Sequence, residues 1–173
     1  MDPIITASLT ATKALWAAYA GYQRGKLSES DQALREEVRR RSEMIRNHLD
    51  AVHDEAHRDG KRRLRRSIND VMQACDALIN DARYAVSHTP NSKHDAAPQM
   101  NKKALQKLID HDLATLERLR DSTQAANQLA HDLAGGSDEA DLVGLAGTVR
   151  QKMTGARNHF SERNMIIDGL TKR

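Results

Sequence analysis

The segment His53-Asp54-Glu55-Ala56-His57 places two imidazoles four residues apart, on one face of any helix that contains them, where a divalent metal could bridge them. The zincin signature needs glutamate directly after the first histidine; here Asp54 holds that position and Glu55 points elsewhere. No metal is therefore expected, and His53 and His57 stand only as a weak candidate pair. Histidine-aspartate dipeptides recur at His94-Asp95, His111-Asp112 and His131-Asp132, read as polar surface rather than the ordered helical set of a metal phosphohydrolase. Cys75 is the single cysteine; it cannot form an internal disulfide and falls on an apolar stripe, the setting of a buried, inert thiol. Gly135-Gly136 lacks the lysine-serine of a phosphate loop, and Ser87-His88 makes no triad by itself. The sequence thus offers no catalytic residues and no cofactor motif, and the chain is read as a non-enzyme.

The strongest local charge is the run Arg58-Asp59-Gly60-Lys61-Arg62-Arg63-Leu64-Arg65-Arg66. On a helix it points in nearly every direction except that of Leu64, so its cations cannot all find internal partners. Phosphates of nucleic acid, anionic headgroups and an acidic face of a neighbouring subunit are the anions such a field attracts. Arg58, Lys61, Arg62, Arg63, Arg65 and Arg66 are accordingly the candidate polyanion-binding residues. No aromatic residues interleave with them, which removes base stacking as support and ranks nucleic acid behind other anions. Arg39-Arg40-Arg41 differs, because Glu36, Glu37 and Glu43 stand at helical salt-bridge spacing.

The N-terminal segment carries Lys13 as its only charge between Pro3 and Gln23. Trp16, Tyr19 and Tyr22 gather at its end, ahead of Arg24 and Lys26, in the order of an interfacial aromatic girdle followed by basic residues. Ile5, Leu9, Thr12, Trp16 and Tyr19 fall on one stripe with Ile4, Leu15 and Tyr22 beside it, while Ala17, Gly21 and Gly25 form a small-residue seam. Thr6, Ser8, Thr10 and Thr12 dilute the run, so it reads as a marginal span. A plain packing helix is the competing reading. This group is the candidate membrane or oligomer contact.

These residues need elements to hold them. Leu34, Val38, Ile45, Leu49, Val52, Leu64, Ile68, Val71, Cys75, Leu78, Ala82 and Val86 keep one phase at about 3.7 residues per step, which predicts one long central helix over about 28–88. Unbroken, it would be roughly 90 Å long. Its weak point is Ala56 to Gly60. Ser28-Glu29-Ser30-Asp31 reads as its capping start. A polar, two-proline loop covers 89–98, followed by helices over 99–134 and 138–170 separated at Gly135-Gly136. Leu105, Ile109, Leu116, Leu119, Ala126 and Leu133, widened by Leu108, Leu113 and Leu129, form the core face of the first of these. Leu142, Val149, Met153, Ala156, Phe160 and Ile167 form that of the second.

The expected fold is a single all-α domain over 1–173: an elongated helical bundle whose long central helix is flanked by a short N-terminal helix (3–26) and a C-terminal antiparallel helix pair. A break near Gly60 would fold everything into one compact bundle. Helix lengths favour the elongated form, in which the Leu34–Val52 half is completed by another subunit. Composition agrees with the helical class. Among 173 residues there are one tryptophan, three tyrosines and one phenylalanine, with nine glycines and three prolines, which excludes sandwiches, barrels and cofactor-binding α/β sheets. Lys and Arg number 27 against 24 acids, a net charge of +3 that mostly describes mixed helical surfaces. The opening Met1-Asp2-Pro3, with no basic n-region, argues against a secretory signal.

A charge-poor first helix packed on a basic helical bundle resembles, in outline, the N-terminal bundle domains of cell-death effectors of the HeLo and bacterial Bell groups. It is also similar to small ejected virion proteins of short-tailed phages. Either resemblance implies that residues 1–26 change environment at a membrane. The sequence reading is therefore a non-enzymatic, homo-oligomeric helical assembly protein that associates with an anionic membrane through its N-terminal helix, cytoplasmic or within an assembled particle. The alternative is a nucleic-acid or polyanion-binding scaffold acting through 58–66.

Overall fold

The computed structural model describes residues 27–87 and 102–171, and every element among them is an α-helix. They are α1 (Leu27–Arg58), α2 (Arg62–Ser87), α3 (Lys102–Ala134) and α4 (Glu139–Thr171). Each has a continuous apolar stripe that no single helix can hide, so the four close around one core. In α2 the buried positions Leu64, Ile68, Val71, Cys75, Leu78 and Ala82 alternate steps of four and three. Leu142, Ala146, Val149, Met153, Ala156 and Phe160 do the same in α4. That heptad spacing is the seam of a left-handed bundle.

The long central helix is corrected to two helices. Gly60 takes a left-handed backbone (φ 71°), its N–H donates to the His57 carbonyl (3.1 Å), and the Lys61 N–H donates to the Ala56 carbonyl (2.9 Å). This is a Schellman ending: it satisfies the last carbonyls of α1 and reverses the chain. Eight residues from Ala56 to Leu64 preserve the apolar phase across the turn, which is why periodicity alone runs through it. The same device recurs at Gly136 (φ 79°), where the Gly136 N–H donates to Leu133 and the Ser137 N–H to Asp132.

Two antiparallel hairpins result, α1–α2 and α3–α4, with α1 also against α3 and α2 also against α4. Arg46–Asp76 (3.2 Å) and Arg83–Glu43 (2.8 Å) tie the first hairpin. The Arg63 N–H to Glu139 and the Arg157–Asp81 ion pair both join residues 76 apart, so α2 and α4 run parallel in constant register. Both tight turns lie at one end of the bundle. The Leu34–Val52 stripe, expected to need a second subunit, is buried by helices of the same chain, so the elongated form gives way to the compact one.

Smaller corrections follow. Ser28 to Asp31 lie within α1 rather than capping it, and Asp31 is buried. Leu113 is exposed (42%); Asp112, Thr115 and Ser122 take core positions on α3 instead. Ile4, Ile5, Leu9, Leu15, Trp16, Ala17, Tyr19, Gly21, Tyr22, Arg24, Gly25 and Lys26 all lie outside the described residues. No helix among the described residues is long and apolar enough to cross a membrane.

Candidate polyanion-binding site

The basic run forms a corner. Arg58 ends α1, the turn of Asp59, Gly60 and Lys61 reverses the chain, and Arg62 to Arg66 are the opening of α2. Leu64 is fully buried and fixes the rotation of α2, which leaves Arg58, Arg62, Arg63 and Arg66 exposed and Lys61 and Arg65 half-buried. The single helix expected to carry all six cations is replaced by a helix end, a turn and a helix start, and Leu64 alone of the run is buried. Ala56, His57, Gly60, Lys61, Arg62 and Arg65 line a half-open cleft of about 270 Å³ in the angle of the turn.

Charge pairing separates this corner from the rest of α1. Arg39 bonds Glu36 (2.7 Å) and Glu43 (2.9 Å), Arg40 bonds Glu37 (2.8 Å), and Arg41 bonds Glu37 (2.6 Å). Burial works against the charge of Glu37, but hydrogen bonds from Arg40 and Arg41 outweigh it and lower its carboxyl below the usual range. Among the described residues no carboxylate lies within ion-pair distance of Arg58, Lys61, Arg62, Arg63, Arg65 or Arg66. The nearest acidic group of another helix, Glu139, is turned to the backbone: its Oε1 accepts from the N–H groups of Arg63 (2.8 Å) and Leu64 (3.1 Å). It thereby caps α2 and stitches the two hairpins together at the turn end. Arg65 reaches His57, and Arg58, Arg62, Arg63 and Arg66 are exposed.

His57 belongs to this corner and not to a metal centre. Arg65 Nη1 donates to His57 Nδ1, which engages a lone pair that a metal would need and sets a cation beside it. His53 is half-buried, with Nδ1 3.7 Å from an oxygen of Asp54, and the pair gathers no third ligand among the described residues. Cys75 is buried as expected; burial first, and the neighbouring Asp76 charge second, push its thiol up to about 12. At neutral pH it is not a thiolate nucleophile.

The opposite end of the bundle holds what sequence reasoning missed. Arg163 sits in the core face of α4 with no solvent exposure. Its Nε donates to Asp112 Oδ1 of α3 (2.6 Å), and its Nη1 to Asp31 Oδ1 of α1. Arg35 Nε stands 2.8 Å from the other Asp31 oxygen, within ion-pair reach though misaligned for a hydrogen bond. The one available signal was positional: Arg163 continues the four-three alternation of α4 between Phe160 and Ile167. No known protein family matches the chain, and comparisons with curated proteins and with solved structures find none similar to it.

Proposed function

We propose that the chain is a non-enzymatic helical-bundle protein that docks on a polyanionic partner through Arg58, Lys61, Arg62, Arg63, Arg65 and Arg66. The observation that carries this reading is the missing internal counter-charge: these cations cluster at one corner without carboxylate partners among the described residues, whereas Arg39, Arg40 and Arg41 on α1 are all paired. A field of this kind gives salt-sensitive binding with little sequence discrimination. The test compares the full chain with its Arg62→Gln, Arg63→Gln, Arg66→Gln variant against heparin, duplex DNA and phosphatidylserine liposomes over a salt series. The expected outcome is binding that weakens steeply with salt and is lost in the variant. Equal binding by the two proteins, or none by the full chain at low salt, overturns the reading.

A second reading rests on the charge-poor segment 3–23 with Trp16, Tyr19 and Tyr22 at its end. In it the protein self-assembles and associates with anionic membranes through that segment, cytoplasmic or in a particle. The two readings separate cleanly. α1 spans 32 residues, so its first residue, Leu27, lies roughly 45 Å from the basic corner. Glutamate at Ile5, Leu9 and Trp16 should abolish flotation with liposomes if the segment is responsible; undiminished flotation sinks this second reading and leaves the corner.

A further inference from the structure

We propose that His111, His159 and Glu162 bind one divalent transition-metal ion of the zinc class between α3 and α4, at a site separate from the basic corner and near the far end of the bundle. His159 and Glu162 stand three residues apart on one face of α4, and His111 faces them from α3. One ligand atom from each of the three falls within 4.8 Å of the others. The two Nδ1 atoms are 3.4 Å apart, longer than a good hydrogen bond. That spacing matches the edge of a tetrahedron whose metal–nitrogen bonds are about 2.0–2.1 Å, which comes to roughly 3.3–3.4 Å. The rings are tilted by 45° with centroids 5.7 Å apart, so they do not stack face to face. Glu162 Oε2 lies 3.6 Å from His111 Nε2, the ring nitrogen other than the one facing His159, so its carboxylate has to swing toward the Nδ1 pair to complete the shell.

The donor set selects the ion. Two imidazoles and a carboxylate suit zinc, cobalt or nickel, whereas calcium and magnesium favour all-oxygen shells. Both histidines are half-buried and Glu162 is exposed, so three protein ligands leave a fourth position facing water. The backbone beneath the ligands is already fixed. Asp112 follows His111, Arg163 follows Glu162, and those two neighbours form the buried ion pair between the same helices; Phe160, next to His159, is fully buried. Closing the shell therefore needs side-chain adjustment only. At His57, by contrast, a guanidinium already occupies the ring nitrogen.

The experiment uses the full, untagged chain stripped of metal and titrated with Co2+, read by visible absorption and by competition with Zn2+. One equivalent per chain with the intense bands of a tetrahedral site is expected. His111→Ala with His159→Ala should weaken binding at least about tenfold. Glu162→Gln, an exposed change that cannot disturb the core, should weaken it as well and carries the test should the double variant misfold. His131→Ala and the pair His53→Ala with His57→Ala should leave it unchanged. Absence of stoichiometric binding, binding that survives loss of the ligands, or binding that depends on His53 and His57 overturns the site.

Discussion

The two ends of this bundle treat the same side chain in opposite ways. At the turn end, Arg58, Arg62, Arg63 and Arg66 lie exposed with no carboxylate of the described residues beside them; at the other end Arg163 is wholly enclosed and held by Asp31 and Asp112. Helical position decides the difference. Arg163 occupies a core step of α4, where an unpaired charge could not remain, while the corner arginines surround the single core step of Leu64 and have only solvent to face. Composition cannot separate the two groups, and a count of charges says nothing about which are enclosed in the fold and which stay at its surface.

The comparison breaks most sharply at Arg163. Arg163→Met removes the guanidinium that Asp31 and Asp112 share in the core, with Arg35 still beside the second Asp31 oxygen, and should cost about 3–5 kcal/mol in urea unfolding, with polyanion binding per folded molecule unchanged. A loss below about 1 kcal/mol would show that the enclosed guanidinium carries no such role. Gly60→Ala comes next, at about 1–2 kcal/mol, because the left-handed backbone opposes a side chain while no atom lies within 4 Å of the added carbon. Thermal unfolding measures it, and a neutral result would mean that the turn relaxes. Glu139→Ala should cost about 1 kcal/mol by uncapping α2, with hydrogen exchange rising first at Arg63 and Leu64. Smallest is Glu37→Gln, below about 1 kcal/mol. The Glu37 carboxyl is lowered in the folded state, so its contribution is present above the ordinary carboxylate range and disappears as pH falls through the folded value. Wild type and variant should therefore converge in stability under acid and separate toward neutrality.

Much of the fold is legible in the sequence because apolar spacing reports burial directly. Leu34 through Ala82, Leu116 through Leu133 and Leu142 through Ile167 all point inward as read. The Arg39–Arg41 pairings are equally local, being contacts within two helical turns. The break at Gly60 is harder, since a turn whose length preserves phase leaves no mark on the stripe, and the cap of α2 comes from Glu139, 75 and 76 residues away. Core positions filled by Asp31, Asp112, Ser122 and Arg163 escape a reading that looks for aliphatic side chains. Of the site residues, the basic run is visible as composition, and its lack of partners becomes visible only in three dimensions. His111, His159 and Glu162 have no local motif, because the juxtaposition depends on how α3 and α4 are paired.

The buried arginine also bears on which fold the chain selects. Two amphipathic hairpins of similar length can close in either of two ways, with α1 against α3 or with α1 against α4, and leucine-rich faces discriminate weakly between them. Arg163 projects from α4, and its acceptors lie on α1 and α3, close to the same end as the start of both helices. The alternative closure would change the spacing among these three charges. Buried charges that must meet one another favour the pairing in which they do, so the Asp31–Arg163–Asp112 cluster is expected to discriminate between the two closures more than it deepens the native energy well.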